Sequence, residues 1–272
     1  MSPLVFTERL ADIHCEFNYL TSTIPSQISR IANMRILDFS GNDLTGSIPA
    51  DFFPTVIPNE YHIWEFVYLF SNNLVGTIPT TIGNLIDLRD LLLNDNHFTG
   101  TIPVSINNCT NLASLLLQNN KLEGYPDLPF RQNPESFYQL QTLDLSSNSF
   151  SGPIPAAFFR LPAIFYFASS QNCFHGELPE EICNSSTLEQ LYLEGLRSGE
   201  QCKQRIFGSL SDVYLSEPLR GGIPACLWDM PSLRFLFLSG NLLTGTFPVQ
   251  VEQNLSSLQY IGGCNKEIFY IT

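Results

Sequence analysis

The sequence predicts an α/β solenoid, an elongated stack of short units that resemble one another. In residues 88–111, Leu, Asn, Gly and Pro stand at fixed offsets, and the pattern restarts 24 residues later at Leu112. Self-similarity at a period of 20 to 50 residues is the mark of a solenoid. The glycine position of this pattern recurs along nearly the whole chain, at Ser22, Gly46, Gly76, Gly100, Gly124, Gly152, Gly176, Gly221 and Gly245.

Each unit begins with the pattern L-x-x-L-x-L, as in Leu88, Leu91 and Leu93, which predicts a short strand with its leucines turned inward. Successive strands are expected to lie about 4.8 Å apart in one parallel sheet on the concave face. An Asn follows the strand where the chain turns inward. Because its amide both donates and accepts, it can satisfy buried backbone groups of adjacent turns. The Asn positions are Asn18, Asn42, Asn72, Asn96, Asn120, Asn148, Asn172 and Asn241.

The second half of each unit predicts a tight turn and a short convex segment. Gly100 permits a tight conformation with a positive φ, and Pro103 ends the next extended stretch because it lacks an N–H. Apolar residues three positions apart then favour a 3₁₀ or short α turn. Examples are Ile28 with Ile31, Ile82 with Leu85, and Phe158 with Leu161.

Counting gives ten repeats, with an eleventh begun at Leu258 and Ile261. Insertions around residues 53–61 and 126–134 are expected to leave the convex side as loops. Two degenerate units are predicted, one from Leu188 and one with its strand at Leu210, Val213 and Leu215. The solenoid is expected to kink or flatten there, because the Asn and Gly positions hold Leu196, Glu200 and Pro218.

We expect a single domain over residues 1–272, with a degenerate or missing N-terminal cap in 1–9 and an incomplete last repeat or C-terminal end in 258–272. The net charge of −13, with only 13 Lys and Arg, argues against nucleic-acid and anionic-membrane partners and allows a basic one. No stretch approaches the length of a membrane-spanning helix, and the first residues show no secretory signal.

Cysteines and glycosylation sequons leave the compartment open. Cys15, Cys109 and Cys202 fall at core positions and are predicted to be buried thiols. Cys173, Cys183, Cys226 and Cys264 fall at less buried positions, and one disulfide involving Cys183 is an alternative. An odd total of seven cannot pair completely. The three sequons, at Asn108, Asn184 and Asn254, would be glycosylation sites in a secreted protein.

The consensus LxxLxLxxNxLxGxIPxxIxxLxxL resembles the plant-type leucine-rich repeat. That family includes receptor-like protein and kinase ectodomains, polygalacturonase-inhibiting proteins and algal leucine-rich repeat proteins. The resemblance implies a right-handed superhelix that binds partners on its concave strands. It also implies an extracellular or cell-surface location, with a cytoplasmic one as the alternative. Family members normally carry a cysteine-bearing cap at each end, and neither end of this chain shows one.

The column of concave positions predicts a binding surface in the C-terminal half. The column reads His14, Asp38, Tyr68, Leu92, Leu116, Asp144, Ala168, Tyr192, Tyr214 and Phe237. Contiguous exposed aromatics are characteristic of recognition surfaces. Two alternatives remain open: the rings pair to stabilise the sheet, or a cap or neighbouring segment covers them. The candidate ligand-binding residues are Tyr192, Tyr214, Phe237, Phe235, Tyr166, Phe165, Tyr260, Glu194 and Glu217.

We therefore expect a non-enzymatic module that recognises a protein, peptide or glycan and needs no cofactor. A second patch, at Phe66, Tyr68, Phe70, Leu92 and Leu116, is a candidate homo-oligomer contact.

The alternative is a surface-structural role such as ice or cell-wall binding. It is suggested by the column Thr23, Ser47, Thr77, Thr101 and Thr246, which Tyr125, Pro153 and Glu177 interrupt.

Catalysis or metal binding would need a cluster of reactive groups. The best candidate set is His14, Glu16, Asp38 and Ser40, on the first two strands. A solvated strand face offers no enclosed pocket and no oxyanion donors, so we expect neither function there.

Overall fold

The computed structural model describes residues 10–31, 33–53, 63–126, 130, 137–195, 202–205, 212–214, 219–245 and 257–262. Ten parallel strands form the concave sheet in the order β1-β3-β5-β7-β9-β11-β13-β15-β19-β21. They are β1 Asp12–His14, β3 Ile36–Asp38, β5 Phe66–Tyr68, β7 Asp90–Leu92, β9 Ser114–Leu116, β11 Thr142–Asp144, β13 Tyr166–Ala168, β15 Gln190–Tyr192, β19 Phe235–Phe237 and β21 Tyr260–Gly262. The predicted solenoid with a concave parallel sheet is confirmed.

The register of the concave sheet follows from its alternating burial. The middle residue of each strand points into the core, as Leu91 does, and it pairs with Val67 and Leu115 on either side. A slip by one residue would move every buried side chain to the solvent face. The residues before and after the middle position therefore share the concave surface.

A second parallel sheet runs along the turns that follow the asparagines. Its strands are β2 Thr21–Ser22, β4 Asp43–Gly46, β6 Asn73–Thr77, β8 His97–Gly100, β10 Lys121–Gly124, β12 Ser149–Pro153 and β14 Cys173–His175. Gly100 has φ +76°, and all nine positions predicted for this turn have a positive φ, including Ser22 at +80°. A Cβ on Gly100 would lie 3.0 Å from Thr77 Cγ2 of the preceding unit.

A left-handed residue stands immediately before every one of the eight turn asparagines, which the sequence pattern did not reveal. These residues are Phe17, Gly41, Ser71, Asp95, Asn119, Ser147, Gln171 and Gly240, with φ between 52° and 71°. Most are not glycine, and a non-glycine residue there costs about 1 to 2 kcal/mol. The turn that points the Asn inward imposes this conformation.

The convex side consists of short 3₁₀ helices, as predicted, each preceded by a proline. In the described part of the chain they span Ser26–Arg30, Thr80–Asn84, Val104–Asn108, Ala156–Arg160, Glu180–Asn184 and Ala225–Trp228. Pro79, for example, is the N-cap of the second helix, and Ile82 and Leu85 beyond it are fully buried. One apolar core runs between these helices and the two sheets. No described helix has the length and apolarity needed to cross a membrane.

The asparagines join successive units as predicted. Asn96 accepts a hydrogen bond from the Leu74 N–H of the preceding unit at 3.0 Å. Its amide donates to the carbonyls of Leu69, Leu93 and Asn94 at 2.9, 3.3 and 3.2 Å. The other turn asparagines likewise bind backbone groups of two units, except Asn18, whose hydrogen bonds go to Cys15 and Glu16 of its own unit.

Two buried aromatic clusters lie at the edges of the predicted insertions. Phe52, Phe53 and Trp64 pack edge to face with ring centroids 5.3 to 6.0 Å apart, on either side of the first insertion. Phe130 packs against Phe137 at 4.8 Å, beside the second. Most of the two insertions, residues 54–62, 127–129 and 131–136, lies outside the described residues. These aromatic side chains therefore pack into the core at the edges of the two insertions.

The prediction of a repeat at Leu210, Val213 and Leu215 is wrong. β15 pairs directly with β19, so no strand stands between them in the concave sheet. Asp212–Tyr214 forms β17, which pairs antiparallel with β16, Lys203–Arg205. The second sheet resumes through the Gly176–Leu219 bridge and the parallel pair β18 Arg220–Gly222 with β20 Leu242–Thr244. The segment between β15 and β18 therefore interrupts one repeat, and the described residues give the concave sheet ten strands.

Two disulfides hold the region of this interruption. Cys173 bonds to Cys202, and Cys183 bonds to Cys226, with Cα atoms 5.5 and 5.6 Å apart. The prediction of Cys202 as a thiol is wrong, because the interruption brings it against β14 rather than into a repeat of its own. The alternative of a disulfide at Cys183 is confirmed, but the described residues contain two disulfides instead of one. Cys173 is buried, although a less buried position was expected.

Cys109 is a buried free thiol, as predicted, and burial raises its pKa to about 12. Cys15 is also free but only partly buried. Cys264 lies outside the described residues.

Candidate functional site

Four of the predicted binding residues form one continuous row of rings, here called the aromatic ladder: Tyr166, Tyr192, Phe237 and Tyr260. Centroids are 5.4 Å apart from Tyr166 to Tyr192, 4.6 Å from Tyr192 to Phe237 and 5.1 Å from Phe237 to Tyr260. These values are close to the spacing of adjacent strands. The strands β13, β15, β19 and β21 therefore set the ladder, one ring per strand.

The rings of the ladder are stacked at the middle step and tilted at the other two. The planes of Tyr192 and Phe237 differ by 15°, and the other two steps by 36° and 31°. The faces of the inner rings are covered by their neighbours. Tyr260, at the end of the row, is 54% exposed.

Gly262, which is outside the predicted site, leaves space for the Phe237 ring of the ladder. Gly262 is the register partner of Phe237. A Cβ at Gly262 would lie 2.3 Å from Phe237 Cδ1. The Phe237 ring thus lies across the backbone of the last strand, where only a glycine leaves space.

The other predicted site residues are not part of the ladder. Tyr214 lies in β17, outside the concave sheet, because the chain leaves the repeat before it. Phe165 and Phe235 lie on the concave sheet and are half-buried beside the ladder. Glu217 lies outside the described residues.

Two of the positions predicted to be exposed in the concave column are buried. Asp144 is 8% exposed and Ala168 is 2% exposed. The Tyr166 hydroxyl donates to Asp144 Oδ2 at 3.4 Å, and the Ser146 N–H donates to Oδ1 at 2.9 Å. Burial raises the pKa of Asp144, and these hydrogen bonds oppose the rise. Burial, followed by the charge of Asp144, raises the pKa of Tyr166.

Carboxylates beside the rings are satisfied by hydroxyl groups instead of cations. Glu194 Oε1 accepts from Ser239 Oγ at 2.7 Å, and Asp90 Oδ2 accepts from the Tyr68 hydroxyl at 3.0 Å. Within the described ranges, no Lys or Arg forms an ion pair with Glu194 or Asp90. Both acids therefore contribute uncompensated negative charge to the concave face.

The arginines of this face are already paired along one edge of the sheet. Arg35 Nη2 lies 2.6 Å from Asp12 Oδ2. Arg89 lies 4.0 Å from Glu65, and Arg234 lies 3.8 Å from Glu189. The arginine charges are thus offset locally, and the remaining acids make the concave face negative.

The second predicted patch has the same intermediate burial as three of the four ladder rings. Phe66, Tyr68, Phe70, Leu92 and Leu116 are all half-buried, and burial together with Asp90 raises the pKa of Tyr68. Its role as an oligomer contact stays a prediction.

Two of the three sequons are accessible on the convex side. Asn108 and Asn184 each end a 3₁₀ helix and are exposed. Asn254 lies outside the described residues.

An open cleft of about 930 Å³ lies on the convex side next to the Cys183–Cys226 bond. Glu177, Glu180 and Glu181 contribute to its wall. The sequence pattern did not indicate it, since two helices from either side of the interruption form it.

Comparison with known proteins identifies the repeats. The model of the family described as Leucine Rich Repeat matches residues 33–54, 87–109, 139–161 and 232–254. Receptor-like protein 39 of Arabidopsis thaliana is 32% identical over 217 residues, which is 76% of this chain and 24% of that protein. The chain thus spans about a quarter of the length of this relative.

Solved structures show the same architecture. The plant peptide hormone receptor RGFR1, in complex with RGF2, superposes with a TM-score of 0.70 at 25% identity, over 89% of this chain and 34% of that one. The ectodomain of the Arabidopsis thaliana membrane receptor kinase GASSHO1/SCHENGEN3 superposes with a TM-score of 0.73 at 26% identity, over 97% of this chain and 27% of that one. The chain is a leucine-rich repeat solenoid of the plant type found in receptor ectodomains.

Proposed function

We propose that this chain is a non-enzymatic recognition module of receptor type that binds a basic peptide or protein segment along its concave sheet. The observation that carries the proposal is the aromatic ladder beside Glu194, a carboxylate that has no Lys or Arg partner among the described residues. Tyrosine and phenylalanine in rigid positions bind with little loss of side-chain entropy. Here neighbouring rings and strands already fix the ladder residues.

The orientation of the rings favours a peptide over a glycan. A sugar stacks on a free aromatic face, and the inner faces of the ladder are covered by other rings. Ring edges carry partial positive charge, so they suit the backbone carbonyls of an extended peptide. A Lys or Arg side chain of that peptide would reach Glu194 at the edge of the ladder.

The relatives support a role in recognition. One structural neighbour is a plant peptide hormone receptor in complex with RGF2, and curated relatives are receptor-like proteins. Two disulfides are typical of a protein in an oxidising compartment. Together with the two exposed sequons, this supports an extracellular or cell-surface location.

The proposal is tested by selecting peptides from a random library on the wild-type chain and measuring their dissociation constants. We expect selected peptides to carry Lys or Arg next to apolar residues, and to bind less well at high salt because exposed charges are screened. Tyr192→Ala combined with Phe237→Ala should weaken binding more than about 30-fold, the effect of losing central aromatic contacts.

A matched control is Leu92→Ala combined with Leu116→Ala, which changes the same column of the sheet away from the ladder. This pair should leave affinity unchanged, provided that circular dichroism shows both variants folded. Equal binding by wild type and the Tyr192/Phe237 variant would refute recognition by the ladder. Selected peptides without basic residues would refute the charge argument.

A further inference from the structure

A histidine and two carboxylates meet at the other end of the concave face. His14 and Glu16 are two residues apart in an extended segment, so their side chains project to the same side. Asp38 is the register partner of His14 on the neighbouring strand. One nitrogen or oxygen atom from each of the three residues lies within 4.8 Å of the other two.

The carboxylates of this cluster are oriented and incompletely satisfied. Asp38 Oδ1 accepts from the Ser40 N–H at 3.0 Å and from Ser40 Oγ at 2.6 Å, which leaves Oδ2 for another partner. Glu16 Oε2 lies 3.9 Å from His14 Nδ1, has almost no accessible surface and has no hydrogen-bond partner. A carboxylate oxygen removed from water without a partner is costly.

Among the described residues, Lys and Arg do not supply the missing partner. Arg35 is committed to Asp12. Within the described ranges, no Lys or Arg lies at ion-pair distance from Glu16 or Asp38. The described part of the chain therefore places no Lys or Arg beside these two carboxylates and the imidazole.

We propose that His14, Glu16 and Asp38 bind a divalent transition-metal ion, with Zn²⁺ as the best fit. A mixed nitrogen and oxygen set suits Zn²⁺, whereas Ca²⁺ and Mg²⁺ prefer oxygen alone. Tetrahedral ligands about 2.1 Å from zinc lie roughly 3.4 Å from one another. The 3.9 Å between His14 and Glu16 is within reach of this value by small rotations of two partly exposed side chains.

Ser40 has the role of a positioning residue in this site. Its two hydrogen bonds fix the orientation of Asp38, as outer-shell partners do for metal ligands. Water would complete the coordination on the open side. This replaces the expectation from sequence that the cluster is ordinary surface, and it does not depend on the proposed peptide function.

The test is titration of the disulfide-bonded chain with Zn²⁺ by calorimetry and with Co²⁺ by absorption spectroscopy. We expect one ion per chain and no thiolate charge-transfer band. His14→Gln and Asp38→Asn should each weaken Zn²⁺ binding more than about 10-fold, and Ser40→Ala by up to about 10-fold. The matched control His97→Gln, at an exposed histidine on β8, should leave affinity unchanged.

Three results would overturn the proposal, with folding of each variant checked by circular dichroism. The first is equal Zn²⁺ affinity in wild type and both ligand variants. The second is a thiolate band that Cys15→Ser abolishes, which would place the metal on the core side of the strand. The third is displacement of Zn²⁺ by equimolar Ca²⁺, which would indicate nonselective binding to surface carboxylates.

Discussion

Replacing Asn148 with alanine should destabilise the solenoid locally, because this side chain satisfies backbone groups of two units. Asn148 is 4% exposed. Its Oδ1 accepts from the Leu122 N–H at 2.9 Å, and its Nδ2 donates to the carbonyls of Leu117, Leu145 and Ser146 at 2.9, 3.2 and 3.2 Å.

The four backbone groups are not affected equally by the loss of the Asn148 side chain. The Leu117 and Leu145 carbonyls keep hydrogen bonds from Asn120 and Asn172. The Ser146 carbonyl keeps the Asn119 N–H. Only the Leu122 N–H loses its acceptor, at about 1 to 3 kcal/mol for a buried unsatisfied donor. With the weakened carbonyl contacts, we expect a total loss of about 2 to 4 kcal/mol.

Urea unfolding followed by circular dichroism measures the change, and amide exchange at Leu122 reports whether the loss is local. Asn148→Asp separates the two functions of the amide, because it keeps an acceptor for Leu122 but points a second oxygen at three carbonyls. It should be at least as destabilising as Asn148→Ala near neutral pH. The control is Asn18→Ala, at the exposed first position of the column, which should cost less than about 0.5 kcal/mol. A loss from Asn148→Ala no larger than this control would refute the reasoning.

Three further changes test other features of the fold. Burial raises the pKa of Asp144, so ionising this carboxyl group destabilises the folded state. Wild type should therefore lose stability relative to Asp144→Asn as the pH rises from about 4 towards 7. Thermal unfolding at each pH measures this difference. Replacing Cys183 and Cys226 with serine opens a loop with a sequence separation of 43 and should cost about 2 to 4 kcal/mol in thermal unfolding. Gly83→Ala places a Cβ 2.3 Å from the Ser105 carbonyl oxygen and should cost about 1 to 3 kcal/mol in urea.

Each of these changes has a control and a contradicting result. The control Asp38→Asn removes the carboxylate charge from the corresponding Asp-x-Ser contact at a more exposed site. A stability difference between wild type and Asp144→Asn that does not change with pH would contradict the burial argument. The control Cys15→Ser changes a free cysteine. If the variant with serine at both 183 and 226 has the same melting temperature as this control, the disulfide contributes little to stability. The control is Gly222→Ala, whose Cβ would lie 4.0 Å from the nearest atom outside its chain neighbours, the Thr244 carbonyl oxygen. An equal loss of stability in this control would refute the steric explanation for Gly83.

The sequence by itself determined the repeat, its concave sheet and the faces of the strands in that sheet. In a solenoid the spatial neighbour of a residue stands one repeat away, so a periodic pattern specifies contacts directly. The Asn column and the positive-φ turns at Ser22 and the glycines follow from this rule. So does the meeting of His14 with Asp38, and of Ala168 with Tyr192.

Only the tertiary structure decided what happens where the period fails. Residues 196–218 resemble a weak repeat in sequence, yet β15 pairs directly with β19, so the described residues of this segment add no strand to the concave sheet. This excludes Tyr214 from the concave sheet and places Phe237 beside Tyr192, which completes the aromatic ladder. The same segment brings Cys202 to Cys173. An insertion breaks the fixed relation between spacing along the chain and distance in space. Beyond it, a local sequence pattern no longer identifies the neighbouring strand, because long-range packing decides which strands pair.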